Sequence, residues 1–129
     1  MKRNESAENS RAGARSPCPV ATALDILGDK WSLVVLRDLL TGKRLYGEFL
    51  GSPERIPTNI LADRLKRLVA EGLADRRPYQ DRPVRYEYRL TDKGERLLPV
   101  LQELCRWTNR FYPQCWTPPA WFMKRRIRN

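Results

Sequence analysis

Histidine is absent from the 129-residue chain. Its absence removes the commonest metal ligand, the usual general base and the one side chain that ordinarily titrates near neutral pH. Cysteine is scarce: Cys18, Cys105 and Cys115 make an odd number with no Cys-x-x-Cys pair. They offer neither a disulfide framework nor a zinc ribbon, and they suit a reducing compartment. Long apolar runs are lacking too. The longest, residues 33–40, is interrupted by Arg37 and Asp38, whereas a membrane-spanning helix needs about 18 apolar residues. The first seventeen residues hold no apolar run of the kind a secretion signal needs. A cytoplasmic location without a membrane partner is therefore expected. No nucleophile elbow and no phosphate-cradling glycine loop occurs. Asp63 and Glu71 stand eight residues apart on one expected helix, with no evident shared cavity. An enzyme, a metal site and a bound cofactor are not expected.

Positive charge is abundant. Lys and Arg number 25 against 15 Asp and Glu, a formal net charge of +10. Such a surface suits a polyanion or an acidic membrane. The length fits one domain with ragged ends. A chain this short buries only about two thirds of its unfolded surface, so a second copy could cover an apolar helix left over.

Residues 1–17 carry four basic and two acidic side chains and little that could be buried. They are expected to be a disordered, solvated tail. Residues 19–27 read as a helix, with Pro19 in its first turn, Val20, Leu24 and Leu27 at helical spacing, and Gly28 ending it. Asp29 is placed to cap a second helix, 30–40, whose two stripes (Trp31, Val35, Leu39 and Leu33, Leu36, Leu40) belong in the core. A short helix over 45–50 and a charged, proline-bearing turn over 51–57 lead to a fourth helix, 59–71. There Leu61, Leu65 and Leu68 point inward, while Asn59, Asp63, Lys66 and Arg67 point outward. Strands 73–79 and 84–90 flank a turn of Gln80, Asp81, Arg82 and Pro83. In the second, Tyr86, Tyr88 and Leu90 alternate with Arg85, Glu87 and Arg89. Thr91 caps a final helical stretch, in which Pro99 either kinks the run or starts its long part. Leu97, Leu101, Leu104 and Phe111 form its stripe, widened by Leu98, Cys105 and Tyr112. Residues 113–129 hold Trp116, Trp121, Phe122 and Met123, which need cover, and Lys124, Arg125, Arg126 and Arg128. That segment could pack back on a dimer or pair its charges with DNA or lipid.

Short helices followed by a hairpin give a mainly α fold with a β-hairpin wing (α+β), in the order of a winged helix-turn-helix. The fourth helix has an apolar face for the core and a polar face for the major groove of duplex DNA. Arg82 and Arg85 on the hairpin can reach the minor groove or its phosphates. A two-fold dimer would set two such units on a near-palindromic site. Two other readings stand beside this one. One is an RNA-binding or non-specific nucleic-acid-binding module, which would display aromatics for stacking, whereas Tyr86 and Tyr88 alternate toward the core. The other is a winged-helix interaction protein without DNA binding.

The segment CPVATALDILGDKWSLVVLRDLLTG, residues 18–42, resembles the opening of the HxlR family of bacterial regulators. The resemblance continues through LYGEFL (45–50), IPTNILADRLKRLVAEGLADR (56–76), RYEYRLTDKG (85–94) and LLPVLQELCRWTNRF (97–111). It implies a small homodimeric winged-helix transcriptional regulator that binds double-stranded DNA and dimerises through its terminal helices. On that resemblance the winged-helix domain is 18–112, with a basic tail before it and an aromatic, basic extension (113–129) after it. Recognition contacts are expected from Thr58, Asn59, Asp63, Lys66 and Arg67, and wing contacts from Arg82 and Arg85. Leu97, Leu101, Leu104 and Phe111 are expected at the dimer interface. Some members that sense oxidants, quinones or aldehydes use a cysteine at the position of Cys18, so Cys18 is either a redox sensor, with an electrophile or small molecule as effector, or a small residue packed at the start of the first helix. Family members usually open the recognition helix with Ser or Thr then Pro. Here Pro57 precedes Thr58, which shifts the expected cap by one residue.

Overall fold

The computed structural model describes residues 15–127. Most of the expected disordered tail (residues 1–14) and Arg128 lie outside the described residues. The chain forms two compact units that part between Lys30 and Trp31.

The first unit holds helix α1, Pro19–Leu27. Pro19 opens it at a position where its missing N–H costs nothing. Asp25 accepts from Arg15 at 2.9 Å, which ties the preceding segment to the helix. Helix α1 buries none of its residues, and Val20 and Leu24 are 66% and 53% exposed.

The second unit carries the remaining elements: α2 (Ser32–Leu40), α3 (Tyr46–Leu50), α4 (Thr58–Ala70), β1 (Ala74–Asp81), β2 (Val84–Leu90), α5 (Asp92–Glu95), α6 (Leu98–Phe111) and α7 (Ala120–Met123). The N-cap of α2 is Trp31 rather than Asp29, because the chain bends through residues 29–31 before the helix starts. Helix α2 is central. Val35, Leu36, Leu39 and Leu40 are all at most 3% exposed. Leu61, Leu65 and Leu68 of α4 are buried as well, and each buried leucine contributes roughly 1.5–3 kcal/mol. That apolar stripe fixes which face of α4 turns outward.

Strands β1 and β2 pair antiparallel from Ala74 opposite Leu90 to Asp81 opposite Val84, with a bulge between Pro78 and Gln80. β1 runs two residues past its expected end because the ladder closes right up to the turn. The wing is fastened to the body at its base. Tyr88 N–H donates to Arg44 O at 2.8 Å, Leu45 bridges Glu87, and the Tyr88 ring meets Phe49 edge-on at 6.4 Å.

The Leu-Thr-x-x-Gly exit from β2 has a physical reason. Thr91 Oγ1 accepts from Gly94 N–H and donates to Gly72 O at 2.5 Å. A Cβ at Gly94 would stand 2.1 Å from Leu73 O, so only glycine fits against the chain leaving α4. The final helical stretch is divided: α5 is a single turn, and Pro99 lies in the first turn of α6, where proline is tolerated.

Residues 113–127 fold back on this unit. Phe122 is 5% exposed and joins Leu40, Leu98 and Leu101 in one cluster. Gln102, buried on α6, donates its side-chain amide to Phe122 O at 3.0 Å and Arg125 O at 2.8 Å. Arg125 in turn donates to Leu40 O, at the end of α2. No helix among the described residues is long and apolar enough to cross a membrane.

Candidate nucleic-acid interface

Helix α4 presents Thr58, Asn59, Asp63, Lys66 and Arg67 on its exposed side. Asn59, Asp63, Lys66 and Arg67 recur at four- and seven-residue steps, so they lie over one another on one face. The opposite face holds the three buried leucines. The N-cap is Pro57, with no side-chain cap and no acidic residue in the first turn. The first-turn N–H groups and the positive end of the helix are therefore left to an anion. The Pro57–Thr58 order thus replaces a hydroxyl cap with an open helix end.

Tyr46 of α3 supplies a link that sequence reasoning missed. Its hydroxyl donates to Thr58 O at 2.6 Å, which locks the first helix of the helix-turn-helix to the start of the second. Periodicity marks Tyr46 only as a helical residue, so nothing in the pattern announces this bond. Glu48 fixes the start of α3: its Oε1 accepts from Arg44 N–H at 2.8 Å and Leu45 N–H at 2.9 Å. Those two backbone donors hold its carboxyl below the usual range.

The side chains of Asn59 and Lys66 make no hydrogen bond or ion pair among the described residues, whereas Asp63 meets Arg64 and lies 3.8 Å from Arg67. Arg67 is thereby steered along the helix toward its N-terminal half. On the wing, Arg82 and Arg85 are exposed and make no side-chain hydrogen bond or ion pair among the described residues. Arg76 differs, since its guanidinium sits 4.2 Å over the Tyr86 ring. Arg89 is paired with Glu87 at 3.0 Å. Lys66 on α4 and Arg82 and Arg85 at the wing tip are thus uncommitted cations among the described residues.

The expected dimer residues separate. Leu101 is 7% exposed and belongs to the cluster with Leu98 and Phe122, and Leu97 is half-buried against that cluster. Leu104 and Phe111 are 47% and 59% exposed. Val100 and Trp107, also exposed, continue the outward stripe, and Trp107 packs on Phe111 and Tyr112 with ring centroids 5.8 and 5.9 Å away.

Cys18 is exposed at the N-cap of α1. Backbone N–H donors of Ala21 and Val20 lower its thiol pKa. Partial burial on α6 raises that of Cys105, the direction of an inert thiol.

An exposed polar face on a helix that follows a short helix and a turn, with a basic hairpin beside it, defines a winged helix-turn-helix fold. Residues 26–115 match the HxlR-like helix-turn-helix family. The chain belongs to that family, whose members among its relatives are transcriptional regulators rather than enzymes. It is 39% identical over 100 residues to the HTH-type transcriptional regulator Rv3095 of Mycobacterium tuberculosis, covering 78% of this chain and 63% of that one. The chain thus spans under two thirds of the length of this mycobacterial relative. The crystal structure of PA1607, a candidate transcription factor, matches with a TM-score of 0.71 and 37% identity, covering 82% of this chain and 75% of that one. The redox regulator HypR, in its oxidised form, matches with a TM-score of 0.65 and 31% identity, covering 72% of this chain and 96% of that one.

Proposed function

We propose that the protein is a cytoplasmic homodimer that binds a near-palindromic duplex site and regulates transcription there. The observation that carries this reading is the outward face of α4, where Asn59, Lys66 and Arg67 stand over a buried leucine stripe beside an uncapped helix N-terminus. Thr58 and Asp63 complete the reading face, and Arg82 and Arg85 hold the flanking phosphates. A second copy covers the outward stripe of α6, carried by Leu104 and Phe111. Leu101 instead supports that stripe from inside the protomer, and Leu97 lies at its edge. The exposed Val20 and Leu24 of α1 offer further apolar surface for the same purpose.

Regulation runs through Cys18. Its lowered pKa makes the thiolate available, and an electrophile or oxidant is the effector class it would meet. The similarity to HypR, a redox regulator, supports this part.

The test is selection of a preferred duplex from a random pool, followed by affinity measurements on Asn59→Ala and Arg67→Ala. Each should lose about 1–3 kcal/mol on the selected duplex, the usual worth of a base contact, with the thermal midpoint unchanged. If both bind the selected duplex as the wild type does, α4 is not the reader.

A further inference from the structure

The turn between α3 and α4, residues 51–57, carries none of the expected contacts, yet it delivers the N-terminus of the reading helix. Its path is held by charged and polar groups of α2. Asp38 is buried, at 4% exposure, and so is Ser52. Ser52 Oγ donates to Asp38 Oδ2 at 2.5 Å and accepts from Lys43 Nζ at 2.6 Å. Lys43 Nζ also lies 4.0 Å from Asp38 Oδ1. Arg37 donates to that same Oδ1 from Nε at 3.1 Å and from Nη2 at 2.8 Å. The other side of the Arg37 guanidinium forks the Glu54 carboxylate, Nη1 to Oε2 at 2.7 Å and Nη2 to Oε1 at 2.9 Å. The turn is thus gripped at Ser52 and again at Glu54. Arg55 follows with φ +57°, in the left-handed region, then Ile56, which is buried, then Pro57 at the N-cap.

Stability alone does not explain this network. A half-exposed ion pair such as Arg37–Glu54 contributes about 0–1 kcal/mol at most sites, and burying the Asp38 carboxylate is costly unless every lone pair is met. Apolar residues would hold α2 and the turn together at lower cost. What a bidentate guanidinium fork does supply is a fixed distance and plane. The hydrogen bonds from Arg37 lower the pKa of the Glu54 carboxyl, the direction that favours the ionised fork.

We propose that Arg37, Asp38, Ser52 and Glu54 are positioning residues for sequence reading: they set the angle at which α4 enters the major groove without touching DNA themselves. Base-edge hydrogen bonds have strict geometry, whereas phosphate contacts tolerate a small displacement. Loosening the turn therefore lowers discrimination and spares general affinity. The inference rests on the DNA-reading proposal above.

The experiment uses the full chain and a duplex selected from a random pool by the wild type, with a scrambled duplex of equal length as reference. Glu54→Gln keeps the size of the side chain and removes the charge at a partly exposed position, and Asp38→Asn does the same at the buried one. Glu54→Gln should fold with an unchanged thermal midpoint. Its affinity for the selected duplex should fall about tenfold, the worth of one well-made base contact, while its affinity for the scrambled duplex stays the same. Single-base variants of the selected duplex should show the effect at positions read by the first turn of α4. Asp38→Asn should do the same, and if it fails to fold, Glu54→Gln alone decides. Equal weakening on both duplexes, or none on either by folded Glu54→Gln, would overturn the positioning role. A wild type that does not discriminate between the duplexes would overturn the DNA-reading proposal itself, and this inference with it.

Discussion

Phe122→Ala tests how firmly the C-terminal extension belongs to the fold. The ring is 5% exposed among Leu40, Leu98 and Leu101, on the last described helix. Truncating a buried phenylalanine to alanine costs about 3–5 kcal/mol where the cavity cannot collapse. Here α7 is a single short turn, so the segment can peel away instead. The destabilisation is then capped by the free energy of docking, which includes the Gln102 amide bonds and the Arg125 bond to Leu40 O. The expected cost is about 3 kcal/mol, the lower end of the range. At about 4 °C per kcal/mol for a domain of this size, the thermal midpoint should fall by about 12 °C. Thermal unfolding followed by circular dichroism reads this directly, with Lys124→Ala, an exposed neighbour, as the control that should stay within about 2 °C. A Phe122→Ala midpoint as high as that of the control would refute the claim that residues 113–127 complete the core.

The wing makes a different forecast: Arg82→Ala or Arg85→Ala should weaken binding to all duplexes alike and reduce the slope of log affinity against log salt by about one for each phosphate no longer neutralised. Unchanged slopes in both variants would place these side chains off the DNA. Leu104→Glu with Phe111→Glu should give a folded monomer in sedimentation, since both side chains are exposed in the protomer, whereas Leu101→Glu should unfold the chain because Leu101 is buried in it. A stable dimer of the double variant would point to another interface. Cys18 should react with iodoacetamide with a midpoint pH below that of an ordinary thiol, because its folded-state pKa is lowered by the Ala21 and Val20 N–H groups. Mild oxidant should alter the DNA affinity of wild type and leave Cys18→Ser unchanged, and equal responses would exclude Cys18 as the sensor.

Much of this architecture was legible because period and punctuation agree. The leucine stripe over residues 61–68, Gly72 behind it and the strict alternation of 84–90 allow only a helix followed by a half-buried strand. The outward residues of α4 followed directly from that stripe. The docking of the extension was not legible. Phe122 sits in a short proline-flanked stretch with no repeat, and its partners are distant in sequence, on α6 and at the end of α2. Gln102 gave no signal either, since a glutamine within an apolar helix reads as a solvated position until its carbonyl partners are seen. The division of the α6 stripe into buried Leu101 and exposed Leu104 was hidden for a related reason: both lie on the one wide apolar face of an amphipathic helix, and spacing cannot say which part of that face the same chain covers. The grip of Arg37 and Asp38 on the turn is equally silent in the sequence, where they only interrupt an apolar run.

The most direct test of the central claim is the binding of the selected duplex as the distance between its half-sites is changed. A two-fold dimer with two α4 helices should bind as two chains per duplex, with half-site centres about 10 base pairs apart or a multiple of that. Inserting about five base pairs, half a helical turn, should reduce affinity to the level of scrambled duplex. Single-stranded DNA and duplex RNA of the same sequence should compete no better than the scrambled duplex. Affinity that ignores the insertion, or equal competition by the single strand or the RNA, would contradict a dimeric reader of duplex DNA.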